Sequence, residues 1–245
     1  NRDKFQRMIL EAIQFAENGN IVTFGVPPIS PETGYGYIEC GKGVNSLYKE
    51  AKDINRFVEK PSYELALSFI KDKNYLWNSG IFISKAHVLI DELKKYSPDT
   101  YKHCLKTFKS KYSDLDFHRL ANEDFKKCPS ISFDLAVMEK TDLGIVLPLD
   151  AGWSDVGSWK SLWEISEKDN DGNVLDGKVL TKDSKNCYLS SEERLVVGIG
   201  LNNLLIVETN DAILISDKDK SQLVKEIIPL LNKKNFQEGE IHKKV

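Results

Sequence analysis

Residues 1–28 read NRDKFQRMILEAIQFAENGNIVTFGVPP, and this stretch decides the fold class. Phe5, Met8, Ile9, Ala12, Ile13 and Ala16 fall at i, i+3, i+4, i+7, i+8 and i+11, the spacing of one helix face. Asn18-Gly19-Asn20 stops that helix. Ile21–Gly25 follows as a short buried strand, ended by Pro27-Pro28. A helix feeding a buried strand predicts an α/β sheet. Working outward, Thr33–Cys40 and Ile54–Lys60 are extended runs, and Tyr75–Ser84 holds a loop and a strand. Ser62–Ile70 reads as a helix with Ser62 as N-cap, and Ala86–Tyr96 as an amphipathic helix. Residues 97–128 are charged and aromatic without a strand pattern, so helices and loops over the sheet are expected there. Gly144–Pro148 is a further strand and Ser158–Ser166 a short helix. The strands near 21–25, 54–60 and 80–84 are expected in one sheet.

The texture changes near Asp169-Asn170-Asp171-Gly172. Short apolar runs then begin near Val179, Cys187, Leu195, Leu204 and Ala212, eight or nine residues apart, with polar turns between. That rhythm predicts a small all-β unit, either a meander or a turn or two of a β-solenoid. Ser221–Leu231 closes as a helix, and the tail is polar. The expected domains are an α/β core over 1–168 and a small β domain with a terminal helix over 169–245. No Pro- or Gly/Ser-rich linker separates them.

Composition removes several functional classes. The 245 residues carry 34 Lys+Arg against 37 Asp+Glu, a net charge of -3, so no basic surplus points to nucleic acid. No apolar run approaches the roughly 18–20 residues that span a bilayer. Cys40, Cys104, Cys128 and Cys187 form no CxxC pair, and His87, His103, His118 and His242 form no HxxxH. Free, mostly buried thiols in a reducing cytoplasm are the expectation. There is neither a GxSxG elbow nor a GxxxxGK[ST] loop.

Five segments join a backbone device to a polar group. In ETGYGYI (32–38), Gly34 and Gly36 inside a strand pattern mean a bulge or close approach of another group. In FVEKP (57–61), Glu59 and Lys60 end a strand at Pro61. They are an edge-strand charge pair, or they turn into one cleft, where a carboxylate takes sugar hydroxyls and an ammonium a phosphate. In WNSGI (77–81), Asn78 is a polar turn residue or a hydroxyl ligand, with Gly80 giving backbone room. In SFDLAVMEK (132–140), Asp134 can N-cap a helix in which Glu139 and Lys140 are solvated. In WSDVGSW (153–159), Asp155 is an N-cap for the helix at Ser158 or a ligand for a hard cation such as Mg²⁺.

In this order the segments resemble the sugar-phosphate nucleotidyltransferases, most closely the mannose-1-phosphate guanylyltransferases of bacterial polysaccharide pathways. The resemblance runs essentially end to end, through VTFGVPPISPETGYGYIE (22–39), RFVEKP (56–61), WNSGIF (77–82), SFDLAVMEK (132–140), WSDVGSW (153–159) and RLVVGIGLNNLLIVETNDAILI (194–215). It implies a Rossmann-like nucleotidyltransferase core, incomplete at its N-terminus, followed by a β-helix-like segment. It implies transfer of GMP from GTP to α-D-mannose 1-phosphate, giving GDP-mannose and pyrophosphate. By the family pattern the Gly36 backbone, Glu59 and Asn78 hold mannose hydroxyls and Lys60 meets the sugar phosphate. Asp155 ligates Mg²⁺, while Asp134 and Lys140 match the motif without a definite role. The reaction is an in-line attack of a phosphate oxygen on the α-phosphorus, which needs positioning and charge screening and no covalent intermediate.

The family's GxGxR loop and an upstream metal-binding aspartate are absent from these residues, and IHKKV (241–245) resembles the point where bifunctional members continue into an isomerase domain. The chain, opening on Asn1, is therefore read as an internal piece of a longer cytoplasmic enzyme, itself inactive, that self-associates through its β domain. The alternatives are a transferase for another sugar 1-phosphate, such as glucose, and a non-catalytic sugar-phosphate-binding subunit.

Overall fold

The computed structural model describes residues 1–44 and 50–239. The IHKKV tail lies outside the described residues. Two compact units divide the chain, Asn1–Trp153 and Ser154–Val245.

In the first unit α1 (Arg2–Glu17) leads into β1 (Ile21–Val26). β2 (Gly36–Gly43), β3 (Lys52–Glu59), β4 (Tyr75–Ile83) and β7 (Gly144–Pro148) complete a closed sheet in the order β1-β4-β2-β3-β7. β1 runs parallel to β7 and antiparallel to β4. The three strands expected to share a sheet do so. Alternation along each strand explains the two cores. Val22, Phe24, Tyr37 and Leu147 join Met8, Ala12 and Phe15 of α1 and Phe69 of α2 (Tyr63–Lys71) on one face. Ile21, Ile38, Phe57 and Val146 turn to the other, against Val88 of α3 (Ala86–Tyr96) and Ala136, Val137 and Met138. Ser62 caps α2 as expected, its Oγ accepting from Leu65 N–H at 3.3 Å.

The stretch 97–128 departs from expectation in one respect. Between α4 (Pro98–Lys109) and α5 (Asn122–Phe125) lies a hairpin, β5 (Tyr112–Asp114) and β6 (Phe117–Arg119). Each strand is three residues long, too short for alternation to show. The turn is made by Leu115 at φ 52, and Arg119 pairs with Asp114 across it.

The second unit holds a sheet in the order β11-β10-β9-β8, from β8 (Val174–Lys182), β9 (Tyr188–Ile199), β10 (Leu204–Glu208) and β11 (Ile213–Asp217). β8, β9 and β10 are parallel, which stacks Val174, Tyr188 and Leu205, and β11 returns antiparallel. Corners at Asp183, Asn186 and Asn203 have φ 54, a left-handed conformation their short polar side chains tolerate. These are the polar turns of the eight- to nine-residue rhythm. The helix read at Ser221–Leu231 splits into a 3₁₀ turn (Lys218–Leu223) and α7 (Val224–Lys233).

α6 (Trp159–Ile165) belongs to this β unit. Its Trp159, Leu162 and Trp163 pack on Val174, Tyr188 and Leu205, and Trp163 Nε1–H donates to the Gly172 carbonyl at 3.0 Å. By compactness the second unit begins at Ser154, while the sequence reading sets the domain boundary near residue 168. No helix among the described residues is long and apolar enough to cross a membrane.

Candidate functional site

Gly36, the first residue of β2, stands opposite Glu59, the last of β3. The next residue, Lys60, has φ 48, and its N–H donates to the Tyr35 carbonyl at 3.2 Å. A non-glycine residue held left-handed is strained, a condition concentrated at functional sites. The strand's alternation ends there, and Lys60 Nζ meets Glu59 Oε1 at 3.0 Å. The two side chains share one side instead of opposite faces. A Cβ on Gly36 would lie 2.8 Å from Glu59 Oε2 and 3.3 Å from Asn78 Cβ, so glycine is what admits both groups.

Asn78 lies on β4 opposite Gly25 of β1 and is buried. Its Oδ1 accepts from Thr23 Oγ1 at 2.8 Å, and its Nδ2 donates to Asp134 Oδ1 at 3.0 Å. These two bonds set the amide's orientation. Asp134 is not an N-cap: it is the first residue of a π-helical turn, Asp134–Met138, whose preceding Phe133 makes no side-chain cap. Ser132 Oγ instead takes the Leu135 N–H, at 3.3 Å. π-turns recur at functional sites, and their bonds run from i to i+5. The Glu139 N–H makes that bond to the Asp134 carbonyl at 3.0 Å, placing Glu139 one turn beyond Asp134.

Glu139 is the residue the sequence reading missed. Its Oε1 accepts the Glu59 N–H at 3.0 Å, across 80 positions. It holds the strand end from which Glu59 and Lys60 project. Read as a solvated α-helical residue beside Lys140, it gave no signal; five-residue spacing from Asp134 becomes one only if a π-turn is foreseen. Lys140 is exposed, its N–H bonded to the Val137 carbonyl, and is not brought into the cluster.

The site therefore gathers Gly36, Glu59, Lys60, Asn78 and Asp134, with Thr23 and Glu139 behind them. Two carboxylates, Glu59 and Asp134, lie near the one ammonium of Lys60. Burial, then the charge of Glu59, push the half-buried Asp134 carboxyl up, against its own N–H, Lys60 and Asn78. The hydrogen bond and charge of Glu59 raise Lys60 in turn. Such a surface offers acceptors for adjacent hydroxyls and a mobile cation for a phosphate.

Asp155 lies in the second unit, in the non-helical run before α6. Ser158 caps α6, its Oγ accepting from Ser161 N–H at 3.1 Å, so Asp155 is not the cap. A Cβ on Gly157 would sit 3.0 Å from Asp155 Oδ2, so the glycine leaves that face of the carboxylate open. Among the described residues no group of three or more His, Cys, Asp or Glu side chains forms a metal cage. A lone open carboxylate fits Mg²⁺, which commonly takes one or two carboxylates with phosphate oxygens and waters.

The chain was compared with known proteins. Residues 1–172 match the family model for nucleotidyl transferase, and residues 177–231 match the mannose-phosphate isomerase/GMP-like β-helix domain. A putative mannose-1-phosphate guanylyltransferase of Vibrio cholerae serotype O1 is 45% identical over 99% of this chain and 52% of its own length. Mannose-1-phosphate guanylyltransferase 2 of Escherichia coli O157:H7 is 47% identical over 97% of this chain and 50% of its own. The chain thus spans about half the length of these curated relatives. A crystal structure from Thermus thermophilus, described as a mannose-1-phosphate geranyltransferase, superposes with a TM-score of 0.78 at 27% identity, covering 95% of this chain and 66% of that one. With a core matched along its whole length and a β-helix domain after it, this chain belongs to the nucleotidyl transferase family.

Proposed function

We propose that this chain is part of a mannose-1-phosphate guanylyltransferase, which moves GMP from GTP to α-D-mannose 1-phosphate and releases pyrophosphate. The observation that carries the reading is the cluster of Glu59, Lys60, Asn78 and Asp134 around Gly36. Relatives bearing that name, at 45–47% identity, support the choice of sugar and nucleotide.

In this reading Glu59 and the Gly36 backbone accept and donate to mannose hydroxyls. Asn78, its carbonyl already engaged by Thr23, presents its remaining N–H. Lys60 Nζ leaves Glu59 for the sugar phosphate and holds one phosphate oxygen for in-line attack on the α-phosphorus of GTP. Both reactants are anions, so positioning and charge screening supply the catalysis, with no covalent intermediate. Asp155 is the residue that would hold Mg²⁺, which when bound neutralises phosphate charge. The setting is the cytoplasm. The outward-facing Leu180, Leu195, Val197 and Ile199 of β8 and β9 support self-association through the β unit.

The test is calorimetric titration of the chain with mannose 1-phosphate, glucose 1-phosphate and inorganic phosphate. It is paired with pyrophosphate release from GTP and mannose 1-phosphate by the full protein. Mannose 1-phosphate is expected to bind more tightly than the other two. Equal binding of all three, or turnover with glucose 1-phosphate alone, would overturn the reading.

A further inference from the structure

Cys104 lies on α4 and Cys128 just after α5, and their Sγ atoms stand 3.7 Å apart across 24 positions of chain. We propose that the two are a redox-modification site, which a small-molecule disulfide such as glutathione disulfide converts into an intramolecular disulfide. A disulfide spans about 2.05 Å, so the sulfurs must close by roughly 1.7 Å from their present 3.7 Å. The approach is held by other contacts. Asp124 of α5 is tied to α4 by Lys106 Nζ at 2.8 Å and reached by Ser110 Oγ at 3.3 Å. Cys104 is exposed, whereas Cys40 and Cys187 are buried, so the pair is where an oxidant arrives first.

The exchange follows from exposure. Cys104 is the more exposed of the two sulfurs, so it is the attacking group, while burial and the adjacent thiol push the Cys128 thiol up. It attacks one sulfur of glutathione disulfide, forming a mixed disulfide and releasing one glutathione thiolate. Cys128 then gives its proton to solvent and displaces the second glutathione from the Cys104 sulfur. Two protein thiols are oxidised and one glutathione disulfide is reduced to two glutathiones. The new bond ties α4 to the chain six residues before Asp134. Disulfides of this kind in reducing compartments are transient and redox-sensing.

The experiment incubates the chain in glutathione redox mixtures, quenches with acid, alkylates and maps peptides by mass. The expected product is a Cys104–Cys128 linked peptide, lighter by two hydrogens and reversed by dithiothreitol, with Cys40 and Cys187 alkylated only after denaturation. Cys128→Ser should accumulate a stable glutathione adduct at Cys104. Cys104→Ser should react at least tenfold more slowly at Cys128. A wild-type chain that keeps a glutathione adduct at Cys104, or that leaves both thiols free, would overturn the proposal.

Discussion

Each unit ends a strand on a glutamate, buried in the second unit and half-buried in the first, and the two are treated in opposite ways. Glu208 closes β10 at 1% exposure. One oxygen accepts from Ser191 Oγ and from the N–H groups of Glu192, Glu193 and Arg194, at 3.1–3.3 Å. The other accepts from the Arg194 guanidinium at 2.8 Å. Glu59 closes β3, but its Oε1 meets an exposed ammonium on a flexible stem, and Asp134 brings a second carboxylate nearby. A carboxylate whose lone pairs are filled by fixed donors is structural. Carboxylates that face each other with one mobile cation keep a demand for donors that a polyhydroxy phosphate can meet. In the proposed function the same residue type thus serves architecture in one unit and recognition in the other.

The comparison is broken most directly at Lys60. Lys60→Met should lower kcat/KM for mannose 1-phosphate roughly 10- to 150-fold in the full protein, from loss of a charged hydrogen bond of about 1.5–3 kcal/mol. KM for GTP should change little, and the thermal midpoint should hold, because Lys60 is exposed. Steady-state kinetics with each substrate varied checks this. A parallel loss for both substrates would mean that the cluster is architecture, as in the second unit.

Glu208 gives the next effect, on stability. Burial alone would raise its carboxyl, but the N–H groups of Glu193 and Arg194, the Ser191 hydroxyl and the Arg194 guanidinium outweigh that and hold it at about 2, below its ordinary 4.5. Its contribution is therefore complete above pH 4.5 and lost as pH falls towards 2. Asp134 works with the opposite sign: its raised carboxyl binds a proton more tightly in the folded chain, so ionising it at higher pH costs stability. Glu208→Gln should lower the thermal midpoint of the second unit by several degrees at pH 7, and the gap to wild type should narrow as pH falls. Melting followed by the fluorescence of Trp159 and Trp163 checks this; a gap that does not change with pH would remove the charge from the explanation.

The smallest effect tests the support behind the site. Glu139→Gln keeps an acceptor for the Glu59 N–H, whereas Glu139→Ala removes it. The alanine variant should raise KM for mannose 1-phosphate about fivefold, the worth of one hydrogen bond near 1 kcal/mol, and the glutamine variant should restore most of it. Calorimetry with mannose 1-phosphate provides a second readout. Equal loss in both variants would show that the charge, not the strand-end bond, matters.

Local rules carried much of the fold. Periodicity marked α1, β1, α3 and β7, and the eight- to nine-residue rhythm marked the β unit, because helix and strand spacing are written along the chain. The motifs likewise singled out Gly36, Glu59, Lys60, Asn78 and Asp155, since unusual glycines and polar groups beside apolar runs are visible one segment at a time. What lay beyond reach was set by contacts between distant segments. Asp134 reads as a cap until Asn78, 56 positions away, claims it. Glu139 reads as solvent-facing until a π-turn aims it at the Glu59 amide. α6 reads as the end of the core until its tryptophans find Val174 and Tyr188. In each case the local sequence allowed two outcomes, and only a contact with a partner far along the chain separated them.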